Sequence, residues 1–399
     1  MFATENTEFM RQLLLTIITF DASRFIISFL LILCVLCGQS FAQHFTTVHD
    51  GVEYAELTRN IGNDPVKINL LRLDLKKVRL DVHHAMDAAI GTEKTSSIAM
   101  RHGAVAAINA GFFRLDNSIF AGDAAGILMI DGKLLSESNS DRTALRISNE
   151  RNETAVEIAP VKTRQFFRIG TRDFEISGTN REVKDNELVL FTPEFHRTTL
   201  TGKDIFEIAF EKNQAVFLSN EKGSNFIMAN GFVLSASGIR KEELKGLLKL
   251  GDKTLLVTNF MAVQWRGSTD ISSSSGVEDI VAGVPQLIKN GKIDITWEQE
   301  KSSKAFVETR HPRTAVAKLK DGKFLMLTVD GRQPGVSVGM NLNELAAYLL
   351  ELGAVDAMNF DGGGSTTMFL EGMVVNKPSD KDGERKVSDA ILVTLRKKR

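Results

Sequence analysis

The chain has 399 residues, 43% of them hydrophobic and 25% charged, a balance that excludes an intrinsically disordered protein and allows one large domain or two smaller ones. Lys and Arg number 49 against 50 Asp and Glu, so no global field favours nucleic acid. The basic end Arg396-Lys397-Lys398-Arg399 reads as a solvated tail.

At the N-terminus Arg24 precedes an apolar run from Phe25 to Leu36, followed by Gly38-Gln39-Ser40-Phe41-Ala42 with small residues at Ser40 and Ala42. This pattern predicts an export signal over residues 1–42, cut after Ala42, and a periplasmic or secreted protein that meets the membrane only through that signal. The run is short for a bilayer. A second apolar segment, Leu13 to Phe20, keeps an uncleaved anchor as the competing reading, and Met10 offers an alternative start. Both cysteines, Cys34 and Cys37, fall in this segment, so a mature chain would hold no thiol for a disulfide, a nucleophile or a metal. Leu33 and Leu36 stand where lipidation would demand a small residue, which argues against a lipoprotein.

Residues 43–99 are expected to form a β-rich lead-in to a domain over residues 100–399. A short helix is predicted for Ser96 to His102, with Gly103 as its stop. The runs Ile127 to Ile130, Gln286 to Ile288 and Ala315 to Leu319, followed by Asp131-Gly132, Asn290-Gly291 and Asp321-Gly322, read as hairpins. Residues 148–220 are polar and β-patterned, an insertion without recognisable chemistry. Ser272 to Ser275 and Gly276 read as an exposed loop or a mobile lid. The clearest helix starts at Asn341, which forms a capping box with Glu344; Leu342, Leu345, Ala346, Leu349 and Leu352 make its apolar face, and Gly353 ends it.

The two helices lead into matching segments. Gly103-Ala104-Val105-Ala106-Ala107-Ile108-Asn109-Ala110 and Gly353-Ala354-Val355-Asp356-Ala357-Met358-Asn359-Phe360 agree at five of eight positions. Together these features predict an α+β class: a β-rich layered fold with mixed sheets, flanking helices and an internal duplication of a helix-strand-loop unit. The loops after Asn109 and Asn359 are then expected side by side at strand ends, a placement that ligand sites of layered folds favour.

The second loop carries the densest chemistry, Asp361-Gly362-Gly363-Gly364-Ser365-Thr366-Thr367. Three consecutive glycines give up backbone entropy that an ordinary turn does not require and point to backbone brought close to an anion. Arg310-His311-Pro312-Arg313-Thr314 sets two guanidiniums and an imidazole before a strand, suited to phosphate or carboxylate. Thr328-Val329-Asp330-Gly331-Arg332 ends the next strand, where Asp-Gly is also an everyday turn. Zinc-protease, nucleophile-elbow, phosphate-loop and dinucleotide motifs are missing. His83-His84 lies in a strand, where neighbours face opposite sides, so the two do not share a metal.

In combination, Asn109-Ala110-Gly111-Phe112-Phe113, His311-Pro312-Arg313-Thr314-Ala315, Val329-Asp330-Gly331-Arg332, the Asn359–Thr366 segment and Val375-Asn376-Lys377-Pro378-Ser379-Asp380 resemble the phosphodiester glycosidase family over about residues 100–395. The resemblance implies hydrolysis of a sugar-1-phosphodiester at the glycosidic C–O bond, releasing free sugar and a phosphomonoester. The substrate would be a phosphoglycan or a small sugar-1-phosphodiester, linked to exopolysaccharide or the cell envelope. On that reading Asp361 is the acid/base or nucleophile, with Glu371, Asp330 and His311 as candidate partners. Arg310 and Arg313 hold the phosphate with the amides of Gly362, Gly363 and Gly364. Thr314, Gly111, Ser365 and Thr366 line the site, and Asn109 and Asn376 position sugar hydroxyls. No cofactor is required and bound calcium is left open. The alternatives are a non-catalytic envelope glycan-binding protein and a metal-dependent phosphodiesterase that cuts P–O.

Overall fold

The computed structural model describes residues 44–397 except 139–140, 220–221, 265–266 and 270–275. The segment read as an export signal, with Cys34 and Cys37, the stretch Ser272–Ser275 read as a loop or lid, and the last two basic residues lie outside the described residues.

Two antiparallel sheets position the site. The larger runs in the order Thr46–His49, Val52–Ile61, Asp64–Leu73, Phe324–Val329, Arg313–Leu319, Ala354–Asn359, Gln286–Lys289 and Lys292–Ile293. The smaller runs Met373–Val374, Met368–Leu370, Ala106–Asn109, Asp389–Leu395 and Val78–His84. The period-two alternation of a strand explains how they pack. Ile108, Ile391 and Val393 face a core shared with Leu71, Leu73, Met326 and Met358 of the larger sheet, while Ala107, Ala390 and Leu392 face the helix Thr95–Arg101 through Ile98 and Ala99. A third sheet, built on the long strand Thr154–Ile169 with Thr143–Asn149 and Asp279–Ala282, closes the same core through Leu145, Ile147 and Val281.

The predicted hairpins form at Leu128–Ile130 with Lys133–Ser136, at Gln286–Lys289 with Lys292–Ile293, and at Arg313–Leu319 with Phe324–Val329. The segment 43–99 is woven into the fold: Asp64–Leu73 pairs with Phe324–Val329 along six residue pairs. Within the stretch read as an insertion, Thr154–Ile169 belongs to the third sheet. A separate five-stranded sheet begins at Gly178–Thr179 and runs to Gly231–Ala236, packing a phenylalanine-rich core together with Phe167 of the long strand. Its parallel pair, Gly178–Thr179 with Leu188–Phe191, makes that sheet mixed.

Each member of the internal match ends a helix-strand unit, but in different sheets: Thr95–Arg101 leads to Ala106–Asn109, and Leu342–Glu351 to Ala354–Asn359. The second helix starts as its sequence predicts. The Asn341 side chain accepts from the Glu344 amide at 2.9 Å while the Glu344 carboxylate accepts from the Asn341 amide at 2.9 Å. Gly353, at φ 87°, turns the chain into the strand. Asn341→Ala is expected to cost about 1 kcal/mol, seen as a lower urea midpoint at unchanged slope.

Candidate functional site

The loops after the two matched strands do lie side by side. The Asp361 amide donates to the Ala110 carbonyl at 2.9 Å, and the Asn109 side-chain amide donates to the Asp361 carbonyl at 2.7 Å. The Asn109 carbonyl oxygen accepts from the Thr314 hydroxyl at 2.8 Å and from the Thr367 amide at 3.0 Å. Asn109 and Thr314 are fully buried. They therefore brace the Asp361 loop and do not reach a sugar, as the residue types alone had implied. Asn376 is committed in the same way: it accepts from the Met368 amide and donates to the Thr366 carbonyl and to Asp330.

Burial pushes the Asp361 carboxyl up to about 6, against the lowering effects of Ser365, the Gly362 amide and the Arg385 charge; buried Asp389 adds to the rise. The Gly362 amide donates to Asp361 Oδ1 at 2.9 Å. Part of the residue remains open to solvent, as do parts of Gly362 and Gly363.

The three glycines are needed for close approach more than for free amides. A Cβ on Gly362 would come within 2.6 Å of the Pro312 carbonyl, one on Gly363 within 2.9 Å of an Arg332 guanidinium nitrogen, and one on Gly364 would overlap Arg385 and Asp380. The Gly362 amide serves Asp361 and the Gly363 amide serves the Pro312 carbonyl, so two of the three expected anion-binding amides are already used. What closes on the turn is positive charge. Arg332 is exposed, sits at φ 60°, and lies 3.4 Å from the His311 Nδ1, with no ion pair among the described residues. Arg385 is paired with Asp380 at 2.8 Å. Burial, then the Arg313 and Arg332 charges, lower the His311 imidazole, which keeps it neutral near neutral pH.

Several expected roles are overturned by this geometry. Arg313 is 1% exposed, and its guanidinium donates to the carbonyls of Met340, Phe306 and Thr309 at 2.8–3.0 Å while lying over the Phe306 ring. Strand alternation explains why: Thr314 points toward Asn109, so its neighbour Arg313 points to the other face. Arg310 is tied to Glu344 and Asp64. Glu371 sits at the far end of its hairpin, where its amide meets the Val105 carbonyl and its exposed carboxylate pairs with His49, whereas Asn109 and Asp361 are at the other end. Asp330 is buried and raised by that burial, and it accepts from Asn376 and the Lys377 amide, so it holds the segment beyond the turn. The Gly111 amide serves Asp389, a fully buried carboxylate that neither motif nor spacing had marked. Of the expected residues, Asp361, the glycines, Ser365, Thr366 and His311 remain grouped at the turn; Arg332 and Arg385 replace the two assigned arginines.

One group with metal-ligand chemistry lies elsewhere, His83, Asp87 and His102, whose ligand atoms fall within 4.8 Å of one another. The two imidazoles are stacked at 3.6 Å, and Arg101 already bonds to Asp87 and His102, so a guanidinium occupies the place a cation would take.

Residues 206–394 match the phosphodiester glycosidase family model, which bears out the resemblance drawn from the motifs. The chain is 32% identical over 165 residues to N-acetylglucosamine-1-phosphodiester alpha-N-acetylglucosaminidase of Bos taurus and 30% identical over 172 residues to that of Homo sapiens. Those alignments cover 39% and 41% of this chain, and the chain spans only 29% and 31% of the length of these relatives. An uncharacterised protein of Rickettsia conorii is 25% identical over 58% of this chain and 77% of its own. Two solved structures share the fold. A hypothetical protein from Synechocystis aligns at TM-score 0.74 and 20% identity, covering 89% of this chain and 64% of its own. A Burkholderia pseudomallei protein described as exported aligns at 0.72 and 22%, covering 84% and 75%.

A carboxyl whose folded value exceeds its unfolded value favours the folded state below about pH 4, and that stability is lost as pH rises through about 6. Asp361→Asn is therefore expected to raise Tm relative to wild type at pH 7.5 and to leave it unchanged at pH 4. A pH-independent difference would contradict the burial of this carboxyl. Asn109→Ala strands three buried partners and is expected to cost roughly 2–4 kcal/mol in urea denaturation.

Proposed function

We propose that this chain, a phosphodiester glycosidase relative over residues 206–394, is an exported hydrolase that cleaves the glycosidic bond of a sugar-1-phosphodiester. The observation that carries this reading is the convergence of Asp361, with its carboxyl raised to about 6, and the Arg332 and Arg385 guanidiniums on one three-glycine turn. A phosphodiester presents one negative charge next to the bond to be broken. When the sugar C1–O bond breaks, the electron pair stays on the phosphate oxygen, and the phosphomonoester that departs carries more charge than the diester did. Fixed cations meet that growing charge best, because they require no reorganisation during the step.

Arg332 has no ion-pair partner to give up among the described residues, and Arg385 sits across the turn with its charge partly offset by Asp380. In this reading Asp361 acts at the sugar carbon, as base toward water or as nucleophile. His311, held neutral beside Arg332, has a free base to accept a proton and would not act as the acid toward the departing phosphate. An N-acetylglucosamine-1-phosphodiester, the substrate in the names of the mammalian relatives, is the first compound to test.

Purified protein is expected to release free sugar from such a diester. In oxygen-18 water the label should appear on the sugar; label on phosphate would instead establish P–O cleavage, and no turnover across sugar-1-phosphodiesters would favour a glycan-binding protein. Asp361→Asn and Arg332→Gln are each expected to lower kcat/KM about 100-fold or more, in line with loss of one preorganised charge. Glu371→Gln should leave it unchanged.

A further inference from the structure

An open cavity of about 330 Å³ lies at the edge of the larger sheet and shares no lining residue with the glycine turn. Ile293, Ile295 and Trp297 line it, alternate positions that follow the period of the edge strand Lys292–Ile293. Thr296, between them, instead donates its hydroxyl to the fully buried Glu300, which also accepts from the Thr143 amide and hydroxyl and the Gln286 amide. The Trp297 carbonyl accepts from the Ser302 amide at 2.8 Å. This wall is therefore fixed before any ligand arrives, which lowers the ordering cost of binding.

Trp297 is only half-buried, and its indole N–H has no hydrogen-bond partner among the described residues and is not sealed from water. No other ring or cation stacks on it among those residues. The remaining lining comes from two helices: Lys304–Glu308 contributes buried Val307 with exposed Lys304 and Glu308, and Leu342–Glu351 contributes exposed Asn343. Lys304 and Glu308 stand 3.6 Å apart, so their charges largely cancel at the cavity. The shorter helix also sets Phe306 under the Arg313 guanidinium and against the Phe112 ring, so one helix touches both this cavity and the loop next to Asp361.

We propose that this cavity is a carbohydrate subsite, separate from the Asp361 turn, that seats one uncharged pyranose of a glycan against Trp297. A pyranose has a face of C–H groups and a perimeter of hydroxyls. The electron-rich indole face matches the first, while the indole N–H, Asn343, Lys304 and Glu308 supply donors and acceptors for the second. A purely apolar ligand would strip water from those polar groups without replacing it. A charged ligand would meet one side chain of each sign. The volume is near the lower end of small-molecule sites. This goes beyond the hydrolase reading and stands without it, since a sugar held here is not at the bond to be cleaved.

Saturation-transfer NMR on the full chain tests this with three uncharged trisaccharides, maltotriose, cellotriose and triacetylchitotriose, and with decanoate as an apolar probe. At least one trisaccharide should show transfer, strongest at ring C–H protons. Trp297→Ala should weaken its binding at least 10-fold. Asn343→Arg, exposed on its helix, should do the same by crowding the cavity while Tm stays unchanged. The chain has two tryptophans, Trp265 and Trp297. In Trp265→Phe the same trisaccharide should therefore shift the remaining Trp297 emission saturably. No transfer from any of the three sugars, or binding undiminished in either cavity variant, would overturn the subsite. Saturable binding of decanoate with none of the sugars would overturn the carbohydrate assignment. Binding should persist in Asp361→Asn; its loss there would put the sugar at the glycine turn and overturn a separate cavity. Trp297-dependent binding in a protein that turns over no sugar-1-phosphodiester would support the subsite and count against the hydrolase reading alone.

Discussion

The site depends on one buried amide side chain. Asn109 ends a strand of the smaller sheet, and its carbonyl and amino groups are taken by Thr314 from the larger sheet and by Asp361 and Thr367 on the segment between the two. The bonds to Thr314 and Thr367 are buried, so each is costly to break. That requirement brings the two loops together and holds Asp361 where its carboxyl loses most of its hydration. The raised carboxyl is thus a product of how two sheets are joined.

With the loop fixed there, the chain must cross the ends of the neighbouring strands within van der Waals distance of Pro312, Arg332 and Arg385. Side chains at positions 362–364 would prevent it. The glycines serve an anion indirectly: they let guanidiniums close on the backbone, while the amides are largely spent on the turn itself. This differs from a nucleotide-binding loop, where free amides and a helix dipole do the binding. The turn here contains only a single three-residue helical turn, Gly363–Ser365, and is followed by a strand.

Much of this was legible in the sequence because it is local. The hairpins follow from Asp-Gly and Asn-Gly pairs, the helix at Asn341 from its capping box, and the adjacency of Asn109 and Asp361 from two similar stretches ending in the same residue. The arginines were not legible. Which face Arg313 occupies depends on where its strand begins, and shifting that by one residue reverses the assignment. Glu371 lies ten residues from Asp361 in sequence, yet a strand carries it to the opposite end of the hairpin. Arg385 belongs to a polar stretch, Lys381 to Lys386, that has no pattern to distinguish one charge from another. Asp389 begins a strand, and nothing in an apolar run shows that its first residue will meet a loop from a distant part of the chain.

The pairing of Asp64–Leu73 with Phe324–Val329 has a further consequence for the boundary at residue 206, where the match to the family model begins. A polypeptide excised there would leave Phe324–Val329, every residue of which is interior, as a bare rim with unsatisfied amides and carbonyls. It would also lack the asparagine that anchors the acidic loop. The matched segment is consequently not a self-sufficient folding unit, and residues before 206 supply part of the scaffold on which the Asp361 turn is mounted.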